Sequence, residues 1–253
     1  MATYNTHYSD RGLAGLQNRV GEMGADIVAL QEVLASPSYD HARAIAARSN
    51  YRSAVSSPYV RYGTTAWLLA ILSRHPILKI EEKALGSRRA LRTLIDVHGH
   101  NLEVVTLHLT PLAGPNSSTS NIRQRTAARR KELQILIHWL KGSPYPQIVA
   151  GDFNMLRATF GILDMGEYSM MLEAGYEDAD GSWLPMNSDT FPIPEETRQK
   201  VGEYLPGILI PDAITLDYVF YSEGISVDSI ESVESAESDH YPLVGDFRLD
   251  NCQ

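Results

Sequence analysis

The sequence predicts a mixed α+β fold in which strands outnumber helices. Short apolar runs of strand length recur along the 253 residues, and each is bounded by turn residues. Some neighbouring runs are joined by a turn as short as HGHN at 98–101, which predicts an antiparallel hairpin, whereas others are separated by segments with helical spacing. Hairpins mixed with helical crossings are typical of a fold that combines both kinds of element.

The first fifty residues are predicted to form a strand, a helix, a strand and a helix. Residues 3–7 (TYNTH) are compatible with a short strand, and residues 25–33 (ADIVALQEV) are an apolar run of strand length. A second helix is predicted across residues 39–50. The first helix is predicted from apolar residues that recur at helical spacing before Gly24, namely Leu13, Leu16, Val20 and Met23.

Further strands are predicted from apolar runs between turn residues. They cover residues 67–73, 91–97, 102–109, 148–154, 216–221 and 244–249.

The longest predicted helix covers residues 121–141. Leu133, Ile137 and Leu140 make its apolar stripe, and basic residues face elsewhere. We interpret the basic cluster as a solvated helix face, because one basic helix is a weak signal for phosphate binding in an acidic chain. The cluster consists of Arg125, Arg129, Arg130 and Lys131.

Residues 184–214 contain five prolines and little periodicity. A loop of this length is uncommon unless it is functional or mobile, so we expect it near the substrate side of the molecule. The sequence shows no internal repeat or linker, and a single catalytic domain covering residues 1–253 is predicted.

Composition excludes several classes of protein. The longest apolar stretch, around 66–72, is too short to cross a bilayer, so no transmembrane segment is expected. Cys252 is the one cysteine, which excludes an intrachain disulfide framework and a cysteine-based metal cluster. The formal charge of −9 gives no overall attraction to nucleic acid, although a divalent cation in an acidic cleft would still permit phosphoester binding. No obligate protein partner and no compartment are predicted.

Several predicted strands are followed by polar side chains that are not required for packing of the core. In GDFN, Asp152 and Asn154 are two residues apart and share one face at the end of a strand. Each such residue alone has a structural explanation, as a turn residue, a cap or a half-buried histidine. The other members of the set are Asn5 with His7, Gln31 with Glu32, His108, Asp217, and Asp239 with His240.

The combination predicts a site for a hard divalent cation and a phosphate. Mg²⁺ prefers oxygen ligands and binds through one or two carboxylates together with substrate phosphate, which Glu32 and the acidic residues at 152, 217 and 239 could provide. Phosphodiester hydrolysis also needs a positioned water and donors that stabilise charge on the phosphoryl oxygens. His108, His240, Asn5 and Asn154 are the candidates for those tasks.

Seven motifs in one order resemble the endonuclease/exonuclease/phosphatase superfamily over nearly the whole chain, from residue 3 to about 247. They are TYNTH, ADIVALQEV, AILSRHPI, LEVVTLHLT, IVAGDFN, LDYVF and SDHYPL. The resemblance implies a four-layer α/β/β/α sandwich with two packed mixed sheets and the active site at one edge. It also implies a hydrolase of phosphoester bonds that depends on Mg²⁺ or Mn²⁺.

The resemblance assigns roles residue by residue. It implies that Glu32 binds the catalytic metal with Asn5 beside it, and that Asp239 helps to position the metal or a histidine. Asp152 would orient or deprotonate the attacking water, and Asn154 would hold that water or a phosphate oxygen. His108 would lie against the phosphate, and His240 would contact the scissile phosphate while Asp217 holds its tautomer.

The chain departs from the family pattern at two points. Threonines occupy YGTTAWLLAILSR where many members have Gly-Asn, and no carboxylate partner for His108 can be assigned. The second metal position and the fine substrate geometry are therefore open.

Several functions agree with these residues. A phosphodiesterase acting on nucleic acid (an endonuclease) is favoured, and a phospholipid or sphingomyelin phosphodiesterase is the main alternative. An inositol phosphate phosphatase would need several basic residues that converge on the pocket. A non-catalytic binding module of the same fold is the remaining class, and the presence of every proposed catalytic side chain argues against it.

Overall fold

The computed structural model describes residues 1–112, 118–157, 166–181, 188–202 and 212–250. Cys252 and part of the proline-rich segment at 184–214 lie outside these residues. The helices in the described part of the chain are α1 (Leu13–Glu22), α2 (His41–Arg48), α3 (Thr119–Leu140), α4 (Glu167–Glu173) and α5 (Glu195–Gly202). None of them has an apolar stretch that could span a lipid bilayer.

Strands outnumber helices, as predicted. In chain order they are β1 (Ala2–Asn5), β2 (Ile27–Ser36), β3 (Tyr39–Asp40), β4 (Arg52–Val55), β5 (Val60–Tyr62), β6 (Thr65–Ser73), β7 (Ile77–Ala84), β8 (Arg89–Val97), β9 (His100–His108), β10 (Gln147–Asp152), β11 (Glu177–Asp178), β12 (Phe191–Pro192), β13 (Ala213–Ile214), β14 (Asp217–Tyr221), β15 (Ile225–Ser232) and β16 (Leu243–Leu249).

The strands form two large mixed sheets. The first sheet has the order β15-β16-β1-β2-β6-β4, with β3 paired to β2 and β5 paired to β6. The second sheet has the order β11-β14-β10-β9-β8-β7, and β12 pairs with β13 on its own. Each sheet contains one parallel pair, β1 with β2 and β9 with β10, among antiparallel neighbours.

Three apolar clusters separate four layers. Leu16 of α1 and Ile45 of α2 pack on the outer face of the first sheet, and Leu133 of α3 and Met171 of α4 pack on the outer face of the second. Between the sheets, side chains such as Ile71 and Val104 are completely buried. The α/β/β/α sandwich implied by the resemblance is confirmed.

The interpretation of the basic cluster on α3 as solvated is wrong for Arg129. The side chain of Arg129 is fully buried, and its Nη2 lies 2.9 Å from Oε1 of Glu167 on α4. Arg129 precedes Leu133 by four residues, so it shares the inward face of the helix. The charge is tolerated there because a buried carboxylate and backbone carbonyls accept its hydrogen bonds.

Other boundaries differ from the predictions for local reasons. The first strand ends at Asn5, and a single turn with three consecutive left-handed residues, His7 to Ser9, follows it. The second predicted helix begins at His41 rather than at 39, because the Asp40 side chain accepts the hydrogen bond of the Arg43 N–H and caps the helix. The segment predicted as a loop at 184–214 contains α5 and the β12–β13 pair.

Candidate active site

Strand register brings the first group of predicted residues together. Asp152, the last residue of β10, lies opposite His108 across a parallel pair and opposite Asp217 across an antiparallel pair. The carboxyl ends of β9 and β10 and the amino end of β14 therefore meet at one edge of the second sheet. The packing of the two sheets places Asn5 of β1 against the same edge.

The Asn5 side chain connects the two sheets. Its Nδ2 donates to Oδ2 of Asp152 at 3.0 Å and lies 3.4 Å from Oε1 of Glu32. Its Oδ1 accepts the backbone N–H of His7, which fixes the orientation of the amide. One amide group thus holds two carboxylates close together.

A β-bulge places Glu32 at the site. The strand that carries it continues to Ser36, so Glu32 is not a residue just beyond a strand, and the register with β6 shifts between Leu30 and Val33. Glu32 has a positive φ of 53°. A bulge redirects a side chain that regular pleating would point elsewhere. Gln31, beside it, hydrogen-bonds to Thr3 and Thr106 between the sheets and does not reach the site.

Burial disfavours the ionised forms of Glu32 and Asp152. Burial and the nearby Asp152 raise the pKa of Glu32 to about 7. Burial and the neighbouring Asp217 raise the pKa of Asp152 as well, although Asp152 accepts the backbone N–H of Asn154. A cation would stabilise the ionised forms of these two buried carboxyl groups.

His240 is held by Asp217. Its Nδ1 lies 2.7 Å from Oδ2 of Asp217, and its Nε2 lies 3.9 Å from Oδ2 of Asp152. Burial lowers the pKa of His240, but the carboxylates of Asp217, Asp152 and Asp239 outweigh burial and raise it to about 10. This histidine is therefore an imidazolium at neutral pH.

The backbone around this pair is also fixed. Thr190 Oγ1 accepts the N–H of Asp217, and the ring of Phe191 packs edge-on against the ring of His240. The described part of the proline-rich segment thus lies beside the site. Ser238 Oγ donates to the carbonyl oxygen of Asn5 and accepts the N–H of His240, which joins the loop before β16 to β1.

His108 is fully enclosed, and its main partner is a tyrosine. Its Nε2 lies 3.5 Å from Oδ2 of Asp152, and its Nδ1 lies 3.1 Å from the hydroxyl of Tyr59. Burial, together with the charges of Arg88 and His240, holds the pKa of His108 well below its usual value. The sequence does not single out Tyr59, because a tyrosine in a short strand-like segment has no pattern that distinguishes it from other tyrosines.

Asn154 and Asp239 lie at the periphery of this group. The amide of Asn154 binds the segment after β9, with Oδ1 accepting the Leu112 N–H at 3.2 Å and Nδ2 lying 3.5 Å from the Leu109 oxygen. Asp239 is about one third exposed, and its Oδ2 lies 3.7 Å from Nε2 of His7. The structure therefore brings Asn5, Glu32, His108, Asp152, Asp217 and His240 into contact, with Asn154 and Asp239 beside them.

The donor atoms suit a divalent cation. Oε2 of Glu32 and Oδ1 of Asp217 are buried, and neither has a hydrogen-bond partner among the described residues. Ligand-type atoms of Asp152, Asp217 and His240 also lie within 4.8 Å of one another. Because Oδ2 of Asp217 and Nδ1 of His240 already bind each other at 2.7 Å, the unpartnered Oε2 of Glu32 is the better ligand for a hard cation.

Comparisons with known proteins agree with this geometry. Residues 2–240 match the model of the Endonuclease/Exonuclease/phosphatase family. No curated protein sequence matches the chain. An endonuclease/exonuclease/phosphatase from Beutenbergia cavernae DSM 12333 superposes with a TM-score of 0.74 at 19% identity, over 98% of this chain and 71% of that one.

Two further solved structures have more specific descriptions. A 3′ phosphatase from Neisseria, bound to a product DNA hairpin, gives a TM-score of 0.71 at 14% identity over 98% of both chains. A mannosyl-6-phosphatase from Bacteroides thetaiotaomicron gives 0.67 at 15% identity, again over 98% of both. At these identities the likeness shows a shared fold, and the substrates belong to those proteins.

The family is generally dependent on divalent metal ions, which agrees with the donor atoms around Asn5. The match over nearly the whole sequence and the shared sandwich fold lead to one conclusion: this chain belongs to the endonuclease/exonuclease/phosphatase family of phosphoester hydrolases.

Proposed function

We propose that this chain is a phosphodiesterase that uses Mg²⁺ or Mn²⁺ and acts on nucleic acid, with the whole chain working as one catalytic domain. The observation that supports it best is the pairing of His240 with Asp217 at 2.7 Å, with Asp152 on the other side of the ring. A positive donor and a carboxylate acceptor thus lie 3.9 Å apart, and hydrolysis of a phosphate ester by water uses both kinds of group.

The carboxylate of Asp152 orients the attacking water and accepts its proton. Burial and the neighbouring Asp217 raise the pKa of this carboxyl group, which makes it a better proton acceptor than an ordinary aspartate. Asn5 and the Asn154 N–H hold its two oxygens, so that the carboxylate cannot rotate away. A bound cation would supply a Lewis acid that polarises the phosphoryl oxygens, with the unpartnered Oε2 of Glu32 to hold it.

His240 stabilises charge on the phosphate. As an imidazolium it donates from Nε2 to a phosphoryl oxygen or to the leaving oxygen, while Asp217 holds Nδ1. His108 and the second Nδ2 hydrogen of Asn154 provide further donors, both from buried side chains. Asp239 acts at a distance, because its charge helps to keep His240 protonated.

Aromatic rings next to the site favour a nucleic acid substrate. Tyr8 stacks on Trp67 with centroids 5.1 Å apart and an interplanar angle of 9°, and Tyr62, which is 63% exposed, packs against the same indole. Tyr8 and Trp67 are partly buried, but the exposed ring of Tyr62 suits unpaired bases, which stack on aromatic side chains. The DNA-bound 3′ phosphatase of the same fold points in this direction, and the mannosyl-6-phosphatase points to a sugar phosphate.

A substrate panel tests the proposal. Purified protein with Mg²⁺ or Mn²⁺ is assayed on plasmid DNA, single-stranded DNA, RNA, sphingomyelin, inositol polyphosphates and mannose 6-phosphate, with Asp152→Ala protein as the blank. Cleavage of DNA or RNA above the blank is the expected result. Hydrolysis of lipid or of monoesters only would show that nucleic acid is not the substrate. If no diester is hydrolysed, the proposed phosphodiesterase activity is overturned.

A further inference from the structure

The hydroxyl of Tyr59 lies between two groups of the site. It is 3.1 Å from the backbone nitrogen of Glu32, which donates to it, and 3.1 Å from Nδ1 of His108. The two rings meet edge to face with centroids 5.7 Å apart. The Tyr59 N–H donates to the carbonyl oxygen of Trp67, so the tyrosine is anchored to β6.

The hydrogen-bond inventory fixes the direction of each bond. A phenol has one hydrogen to donate, and the Glu32 N–H already points at its oxygen. The hydrogen must therefore go to another acceptor, and among the described residues Nδ1 of His108 is the one within hydrogen-bond distance of the hydroxyl. A ring nitrogen that accepts a hydrogen bond carries no proton, so the proton of His108 is on Nε2, which faces Asp152 at 3.5 Å.

The opposite arrangement fits the contacts of Tyr59 less well. If Nδ1 of His108 carried the proton, the partly buried Tyr59 oxygen would face two donors, and its own hydrogen would have no acceptor among the described residues. Losing the hydrogen bond between Tyr59 and His108 costs free energy. The geometry at Tyr59 therefore favours one tautomer of His108.

We propose that Tyr59 is a positioning residue that holds His108 in its Nε2–H tautomer and thereby aims a hydrogen-bond donor at the phosphate. The contribution to turnover rests on the proposed function, whereas the tautomer does not. Oε1 of Glu32 also lies 3.6 Å from Nδ1 of His108, beyond hydrogen-bond distance, so the Tyr59 hydroxyl is the direct partner of that nitrogen. A neutral phenol adds no further negative charge beside Glu32 and Asp152.

The same hydroxyl connects two parts of the site. Through the Glu32 N–H it secures the β2 bulge, and through His108 it secures the end of β9. His240 and His108 consequently differ in the kind of partner they have. Nδ1 of His240 contacts an anion at 2.7 Å, whereas Nδ1 of His108 contacts a neutral hydroxyl at 3.1 Å and has the Glu32 carboxylate 3.6 Å away.

Nuclear magnetic resonance of the full chain tests the tautomer directly. Long-range ¹H–¹⁵N correlation spectra of protein with ¹⁵N-labelled histidine distinguish the two ring nitrogens, and a His108→Gln variant identifies the His108 signals. We expect the unsubstituted protein to show the Nε2–H form, and Tyr59→Phe to show a mixture. An Nδ1–H form in the unsubstituted protein, or an unchanged tautomer in Tyr59→Phe, would overturn the proposal.

Kinetics separate positioning from stability. On a diester that the protein hydrolyses, Tyr59→Phe should lower kcat roughly tenfold with KM within about twofold, as for other residues that orient a catalytic group. Tyr51→Phe is the control, because Tyr51 is buried and its hydroxyl donates to the carbonyl oxygen of Ala25, away from the site. Equal kcat losses in both variants would reduce Tyr59 to a structural residue. A protein that turns over no phosphoester yet shows the expected tautomers would refute the proposed function alone.

Discussion

Oδ2 of Asp217 and Nδ1 of His240 lie 2.7 Å apart in a place where both side chains are almost completely buried. The pair is not isolated, because Asp152 lies on the far side of the imidazole, 3.9 Å from Nε2. His240 therefore has a carboxylate near each ring nitrogen. Its positive charge depends on those neighbours and not on solvent.

Replacing Asp217 with Asn should move the pH dependence of turnover. Asp217 raises the pKa of His240, so the substitution lowers it, and the imidazolium is lost at a lower pH than in the unsubstituted protein. Activity that needs this charge then falls at lower pH, about tenfold in kcat for each pH unit beyond the new pKa. The alkaline limb of a kcat–pH profile measures this, with the exposed Asp228→Asn as control. An identical alkaline limb in the Asp217→Asn variant would remove His240 from the mechanism.

Removal of divalent cations should abolish turnover and lower thermal stability. A cation satisfies the unpartnered Glu32 oxygen and offsets the repulsion between Glu32 and Asp152. At one hundred times the Kd, ligand binding stabilises a fold by about 2.7 kcal/mol, which corresponds to a rise of roughly 5–10 °C in Tm for a chain of this size. Differential scanning calorimetry in EDTA and in Mg²⁺ or Mn²⁺ measures the shift. The shift should be much smaller in Glu32→Gln, and activity that survives EDTA contradicts the metal site.

Without metal, Glu32 should make stability fall as pH rises from about 4.5 to about 7. Its pKa is about 7 in the folded protein and near 4.5 in the unfolded chain, so between these values the folded state alone holds the proton. This stability is present below pH 4.5 and is lost as pH rises through 7, on the order of 3 kcal/mol in total.

Urea denaturation in EDTA at several pH values isolates this effect. The free energy of unfolding of Glu32→Gln, relative to the unsubstituted protein, should grow with pH across the window. The exposed Glu234→Gln serves as the control and should show a constant difference. A constant difference for Glu32→Gln too would mean that Glu32 ionises normally.

Replacing Gly151 with Ala should disturb both the fold and the site. A Cβ at Gly151 would lie 2.3 Å from the carbonyl oxygen of Leu107, and the φ of +154° is itself rare for other residues. Strands β9 and β10 would have to separate next to Asp152, at a cost of about 1–3 kcal/mol. Gly99→Ala is the matched control, since φ is +92° there but nothing lies within 4 Å of the added atom. Urea denaturation and kcat should both change for Gly151→Ala, whereas Gly99→Ala should retain kcat.

The sequence predicts best those elements whose burial is regular. Strand β10 is buried along its whole length, and its apolar run marks it clearly. Strand β7 is an edge strand in which Leu78 and Ile80 are exposed beside charged residues, so no alternation reveals it. Strand β15, also at an edge, was missed for the same reason.

Contacts between distant residues are harder to derive. The motifs point to Asp217 and His240, but only the packed sheets show that Asn5 bridges Glu32 and Asp152. Arg129 shows most clearly why such contacts cannot be predicted from local sequence. Its burial depends on Glu167, 38 residues away, and no local pattern links the two. Tyr59 was missed for a similar reason, since its function lies in two hydrogen bonds to residues that are far from it in sequence.

The site is shared between the two sheets, with Asn5 and Glu32 on one and His108, Asp152 and Asp217 on the other. Neither half of the sandwich contains a complete set of groups. A refolding chain that has formed each sheet but has not yet docked them would have native-like secondary structure and no catalytic power. Recovery of enzymatic activity during refolding therefore measures the docking of the two sheets. A substitution in the apolar layer between the sheets would affect activity in the same way as a substitution in the active site.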